Sequence, residues 1–246
     1  MTWQFIILLA VMGIYFIAMN RWADRLAQSV QRLHLFWFTM GLVAAAVAFV
    51  PSPDLFGANY RFTANMVEFF LLTGLAAPLF LLGIPRTTIH LPAALDRATR
   101  WLKSPLRAYL VANFVFLAWH SPIAFETASR DPIIWSIKQV ILLGAGLIAW
   151  APVFEGESLW GKNFHPLRLL YLFFLSIPTT VLGALFTLAP NLVYSARALA
   201  FEICAPAFLG DQQAGGLVMW YAGAIIDLFA LSILFFRWFG TADAEA

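Results

Sequence analysis

The chain has 246 residues, 62% of them hydrophobic and 11% charged, with a formal net charge of +2. A soluble domain is about half apolar and a quarter charged, so this composition excludes an ordinary soluble globular protein. So small a net charge gives no reason to expect a nucleic-acid partner, and the basic residues serve membrane topology or face anionic lipid.

Crossing a bilayer takes roughly 20 apolar residues per helix. Seven stretches qualify, at about 2–19, 34–50, 62–84, 105–120, 133–153, 167–189 and 215–239, the second and fourth being short. The first has no basic start and no small-residue cleavage site. Arg21, Arg25 and Arg32 follow it instead, the pattern of a retained helix rather than a secretory leader. The third contains Glu68 and Pro78. After it, residues 86–104 place Leu91, Leu95, Ala98 and Leu102 on one helical face among basic residues, which predicts a short interfacial helix. The fourth ends on His120, and the fifth carries Lys138 and the closely spaced glycines Gly144 and Gly146, suited to close helix contact. Pro178 interrupts the sixth. Like Pro78, it should kink its helix and free carbonyls that neighbours must satisfy. The connection 190–214 is amphipathic in places and is expected on the membrane surface; the seventh stretch contains Asp227.

Alternating ~10-residue segments of the barrel type are absent. The expected fold is all-α: one integral-membrane domain over residues 1–246, a polytopic helical bundle of about seven transmembrane helices. Arg86, Arg97, Arg100, Lys103, Arg107, Lys162, Arg168 and Arg237 fall on one side, against Arg61, Arg130 and Arg197 on the other. The positive-inside rule then predicts an N-out, C-in orientation.

Glu68, Lys138 and Asp227 are the ionisable side chains expected inside the membrane, where such residues face the bundle interior and mark a site. Glu68 and Lys138 each lie about six residues into helices of the same direction, so both sit ~9 Å deep and can meet as a buried ion pair. Such a pair either fixes helix register or takes part in chemistry. Asp227 has no obvious basic partner at its depth. For a metal, Met66, His120, Cys204 and Met219 are the candidates, since Cu(I) prefers thioether and thiolate ligands. No His-x-x-x-His or Cys-x-x-Cys spacing supports them, so no cofactor is expected, copper being the one possibility. Cys204 is the single cysteine, which excludes an internal disulfide. No nucleophile-elbow, Walker or zinc-protease motif appears, and no enzymatic reaction is expected.

The segment 211–239, "DQQAGGLVMWYAGAIIDLFALSILFFRWF", resembles the CtaG-type cytochrome c oxidase assembly proteins, the group associated with caa3-type oxidases. "APLFLLGIP" at 77–85, "AWHSP" at 118–122, "GLIAWAPV" at 146–153 and "LGALFTLAPNLVY" at 182–194 fit the same pattern, in order. The resemblance thus covers about 34–239. It implies a seven-helix protein of the bacterial inner membrane that helps to build haem–copper oxidase, through copper delivery or subunit maturation, with oxidase subunits and membrane lipid as its partners. The motif residues map onto Trp119, His120 and Pro122, and onto Asp211, Gln212, Gln213, Met219 and Trp220.

The chain also departs from that pattern. Where the resemblance implies histidine pairs, it has Asn65 and Phe69 in "NMVEFF" and Trp135 and Gln139 in "WSIKQV". Glu68 and Lys138 lie inside these two segments, so a charge pair is expected in the space of the ligands. Loss of the ligands favours a scaffolding role, as an assembly factor or a bound accessory subunit. The alternative is a proton- or ion-conducting membrane protein using Glu68, Lys138 and Asp227.

Overall fold

A computed structural model of the chain describes residues 10, 12–17, 28–49, 61–84, 104–155, 157–160, 164–194 and 205–242. Among these residues every regular element is a helix. After a short helical stretch at 12–17 come α1 (Gln28–Ala48), α2 (Arg61–Gly83), α3 (Pro105–Trp119), α4 (Pro122–Arg130), α5 (Pro132–Phe154), α6 (Glu157–Trp160), α7 (Phe164–Leu188) and α8 (Ala205–Ala242).

Among the described residues, α2, α5, α7 and α8 are long and apolar enough to cross a membrane; α3 and α4, bent by 64°, make a fifth span if taken together. The expected first span and the expected interfacial helix at 86–104 fall largely or wholly outside the described residues. The expected second span is helical as α1, but Gln28, Gln31, Arg32 and His34 occupy its first two turns and leave a short apolar run. The bent pair follows from local chemistry. Ser121 accepts the Ala124 N–H at 3.4 Å and Pro122 stands in the first turn, so a new helix starts immediately after α3 stops at His120. Asp131 caps α5 the same way, accepting the N–H groups of Ile133 and Ile134 at 2.7 and 3.3 Å ahead of Pro132.

One expectation is corrected. The segment 190–214, which includes Asp211–Gln213, is expected from the sequence as a connection on the membrane surface. Instead α8 begins at Ala205, and these three residues are helical. Gly210, Gly215 and Gly216 suggest a turn in sequence, but Gly216 is there for close approach. A Cβ on it would lie 2.6 Å from the Thr187 nitrogen and 2.8 Å from the Gly183 oxygen of α7. The backbones of α7 and α8 thus meet at Gly183 and Gly216, as small residues allow in membrane helices.

The helix α2 is the centre of the bundle, touching α1, α5 and α8. Its middle, Leu71–Ala76, is a π-helical turn just ahead of Pro78. There the Ala77 N–H bonds the Leu72 carbonyl, five residues back, so the carbonyl of Thr73 falls opposite Pro78, which has no N–H. Trp150 of α5 answers it, its Nε1 donating to Thr73 O at 2.8 Å. The expected burden of an intramembrane proline is therefore met from the neighbouring helix.

Candidate functional site

At one end of the bundle the Asp-Gln-Gln motif ties separate segments together. The Asp211 carboxylate accepts the backbone N–H groups of Phe62 and Thr63 at 2.7 and 2.9 Å and the Thr63 hydroxyl at 2.7 Å. It is the N-terminal cap of α2, supplied from α8, and an anion at that place also complements the helix dipole. Gln212 accepts the Val193 N–H at 2.8 Å and donates to Asn191 O at 3.3 Å, while Gln213 donates to Ala189 O at 3.2 Å. The motif therefore pins the chain leaving α7 against α8, and α8 against the start of α2. Beneath it lie the buried rings of Phe62, Phe125, Phe186 and Tyr194, together with Met66 and Met219. The Tyr194 hydroxyl donates to the His120 carbonyl at 2.9 Å, and burial holds this phenol well above its ordinary pKa. Trp119 packs on the same cluster, and Trp220 stacks on Tyr221.

A turn or two further along α2 lies a polar cluster inside an otherwise apolar bundle. Glu68, Lys138 and Gln139 are buried, and Asn65 faces them. The hydrogen bonds run crosswise between helices. Lys138 Nζ donates to Asn65 Oδ1 at 2.5 Å, and Gln139 Nε2 donates to Glu68 Oε2 at 2.6 Å. Lys138 also feels the Glu68 charge directly. The i,i+3 pair on α2 and the adjacent pair on α5 thus form a four-residue tie in which each charged group is bonded to an amide of the other helix.

His120 stands beside this tie. Its ring packs edge-on to Phe69 at 5.5 Å and against Phe116 at 4.3 Å, and it lies in the field of Lys138. Nδ1 is 2.7 Å from the Phe116 carbonyl, which can only accept, so Nδ1 carries the proton and Nε2 presents a lone pair. Neither His120 Nε2 nor Gln139 Oε1 has a hydrogen-bond partner among the described residues. Of the four positions where the resemblance implies histidine, Asn65, Phe69 and Gln139 gather at this place. Trp135, one turn earlier on α5, makes no side-chain hydrogen bond among the described residues.

These donors do not fit Cu(I). One imidazole nitrogen remains, the other donors are carboxylate and amide oxygens, and an ammonium group sits among them and repels a cation. Met66 and Met219 are buried among aromatic rings in the neighbouring cluster, and Cys204 lies outside the described residues. No group of three or more His, Cys, Asp or Glu side chains suited to a metal occurs among the described residues. Asp227 belongs to neither assembly. It lies sixteen residues beyond Asp211 on α8, ~24 Å along the helix, and lines a separate cavity.

The order of these landmarks along the chain matches a known family. The family model of the cytochrome c oxidase caa3 assembly factor (Caa3_CtaG) covers residues 13–241. The chain belongs to that family. The match is wider than the 34–239 of the sequence resemblance, and it makes this a membrane-helical protein of cytochrome c oxidase assembly. No curated protein and no solved structure gives a match.

Sequence reasoning singled out Glu68 and Lys138 because charges stand out in apolar runs. It gave Asn65 and Gln139 significance only as replaced histidines, and not as the amides that hold those charges. The reach of Asp211 back to Phe62, across 149 positions, left no local signal.

Proposed function

We propose that this chain serves oxidase assembly as a metal-free, non-catalytic scaffold, held against subunits of the haem–copper oxidase within the bacterial inner membrane. The observation that carries this reading is the Asn65–Lys138 and Glu68–Gln139 cross-tie. It sets hydrogen-bonded amides and opposite charges, with an ammonium group among them, in the segments where imidazoles are implied. A member that keeps the fold and replaces the ligands retains what packing against a partner requires. The membrane-facing sides of α7 and α8, with exposed Phe173, Leu185, Leu228, Phe229, Phe236 and Phe239, supply apolar area for lipid and for such a partner.

Deleting the gene tests the role, with oxidase activity, haem content and copper content as the readouts. The scaffold reading predicts less assembled enzyme, with the remaining enzyme fully loaded with copper. Assembled enzyme at normal abundance but lacking copper would instead assign a delivery role. Normal abundance with full copper would remove the assembly role. Gentle purification of the oxidase then separates the two forms of the reading: stoichiometric retention of this chain marks an accessory subunit, and its absence a transient factor.

The alternative of a proton- or ion-conducting protein using Glu68, Lys138 and Asp227 is not favoured, because the matching family is one of assembly factors.

A further inference from the structure

Where α2, α3, α5, α7 and α8 converge, the structure encloses a partly open cavity of about 90 Å³. At ~10–15 Å³ per probe-sized molecule, this is room for a small group of waters or a small ligand. Asp227 lines it, and no hydrogen bond or ion pair joins this carboxylate to any described residue. A carboxylate among membrane helices is costly unless something answers it.

The other polar walls decide what can answer. Thr73 Oγ1 donates to Phe69 O at 2.8 Å, and Ser176 Oγ donates to Phe173 O at 2.8 Å. Asn113 Nδ2 donates to Tyr109 O at 2.9 Å, and Trp150 Nε1 to Thr73 O at 2.8 Å. These groups turn hydrogens toward backbone carbonyls of the bundle and keep oxygen lone pairs: Thr73 Oγ1, Ser176 Oγ and Asn113 Oδ1. Besides the second amide hydrogen of Asn113, only the Thr179 hydroxyl is left as an uncommitted side-chain donor on the walls. The few polar groups in this mostly apolar lining therefore offer more acceptors than donors, and one of them is the Asp227 carboxyl group. The rings of Phe69, Phe70 and Phe116 complete it, and aromatic faces attract cations.

We propose that this cavity is a binding site for a compact monovalent cation, an alkali ion or a small ammonium ion, with the Asp227 carboxylate as its counter-charge and the Thr73, Ser176 and Asn113 oxygens as neutral ligands. One carboxylate balances one positive charge, and hard oxygen donors suit such ions. The site is separate from the Glu68–Lys138 tie. Phe69 stands between the two, lining the cavity and packing on His120. It is a binding site rather than a conducting path, and it does not depend on the role in oxidase assembly.

The test is thermal unfolding of the purified full chain in lipid nanodiscs at constant ionic strength. Tetramethylammonium chloride is replaced stepwise by sodium, potassium or methylammonium chloride. At least one compact cation raises the midpoint saturably, and the arm that does so identifies an alkali ion or an ammonium ion as the ligand. Asp227→Asn, nearly the same shape without the charge, abolishes the dependence. Thr73→Val and Ser176→Ala weaken the apparent affinity about tenfold, as expected for loss of a contact to a charged group. Identical midpoints in all four salts overturn the proposal, and so does an unchanged cation response in Asp227→Asn. If Asp227→Asn fails to fold, unchanged affinity in both Thr73→Val and Ser176→Ala overturns it equally.

Discussion

Asp211 caps a helix that begins 150 residues before it, and its carboxylate carries three hydrogen bonds there. Asp211→Ala removes all three and leaves two N–H groups of α2 unpaired, at a cost of ~2–3 kcal/mol. Thermal unfolding of the purified chain measures it, and Asp211→Asn, which keeps one acceptor oxygen for Thr63 but none for the Phe62 N–H, loses about half as much. Glu68 and Lys138 behave differently because each answers the other's charge. Lys138→Met strands the Glu68 carboxylate and costs ~3–5 kcal/mol, as breaking a buried pair does. Glu68→Gln keeps an acceptor for Gln139 but removes the charge. The double variant Glu68→Gln with Lys138→Met is therefore less destabilised than the sum of the singles. Strict additivity would show that the two groups act independently. These two charges were legible in the sequence, as the only carboxylate and ammonium within their apolar runs. The amides that bond them were not, because Asn65 and Gln139 carry no charge and leave no break in hydropathy.

At the scale of elements, the bundle is held by close backbone approach and by one answered carbonyl. Gly216→Ala drives a methyl group into Thr187 and the Gly183 carbonyl, with approaches of 2.6–2.8 Å that backbone atoms cannot yield cheaply. It separates α7 from α8 at a cost of ~1–3 kcal/mol, and faster proteolysis of the 189–204 connection reads it out. Trp150→Phe keeps the ring volume approximately but leaves Thr73 O without its donor beside Pro78, costing ~1–3 kcal/mol. Hydrogen exchange of the α2 amides around Leu71–Ala76 localises that loss. The sequence marked Pro78 as a place where a neighbour must help, since a missing N–H is written in the residue type. It could not name Trp150, because pairing of distant helices is set by packing. Helix ends were least legible where polar residues do structural work. Asp211–Gln213 and the glycines after them suggest a turn, yet they serve a helix, because their side chains are spent on other segments. The short helix α4, between Ser121 and Asp131, went unread for a related reason: nine residues with Glu126, Ser129 and Arg130 show no membrane-length apolar run.

For the molecule as a whole, apolar composition made a helical membrane protein legible, and the ordered landmarks made the family legible; the family model extends that match to residues 13–241. What sets this chain apart within the pattern is internal. A cross-tie of amides and opposite charges joins α2 to α5 where imidazoles are implied, whereas the Asp211 cap that fixes where α2 begins belongs to the motif shared with the family. Both devices tie helices together through side-chain hydrogen bonds, as the proposed scaffold role requires. The Glu68–Lys138 variants connect stability to role: if the tie is structural, loss of assembled oxidase in cells should follow the loss of this chain's own stability and abundance.

The most direct test of the metal-free account is copper binding by the purified chain. The protein is loaded with Cu(I) under reducing conditions, desalted against a competing chelator, and its metal content measured, alongside His120→Ala. The account predicts no stoichiometric copper retained and no difference between the two proteins. One equivalent of copper held by the native chain and lost in His120→Ala would contradict it.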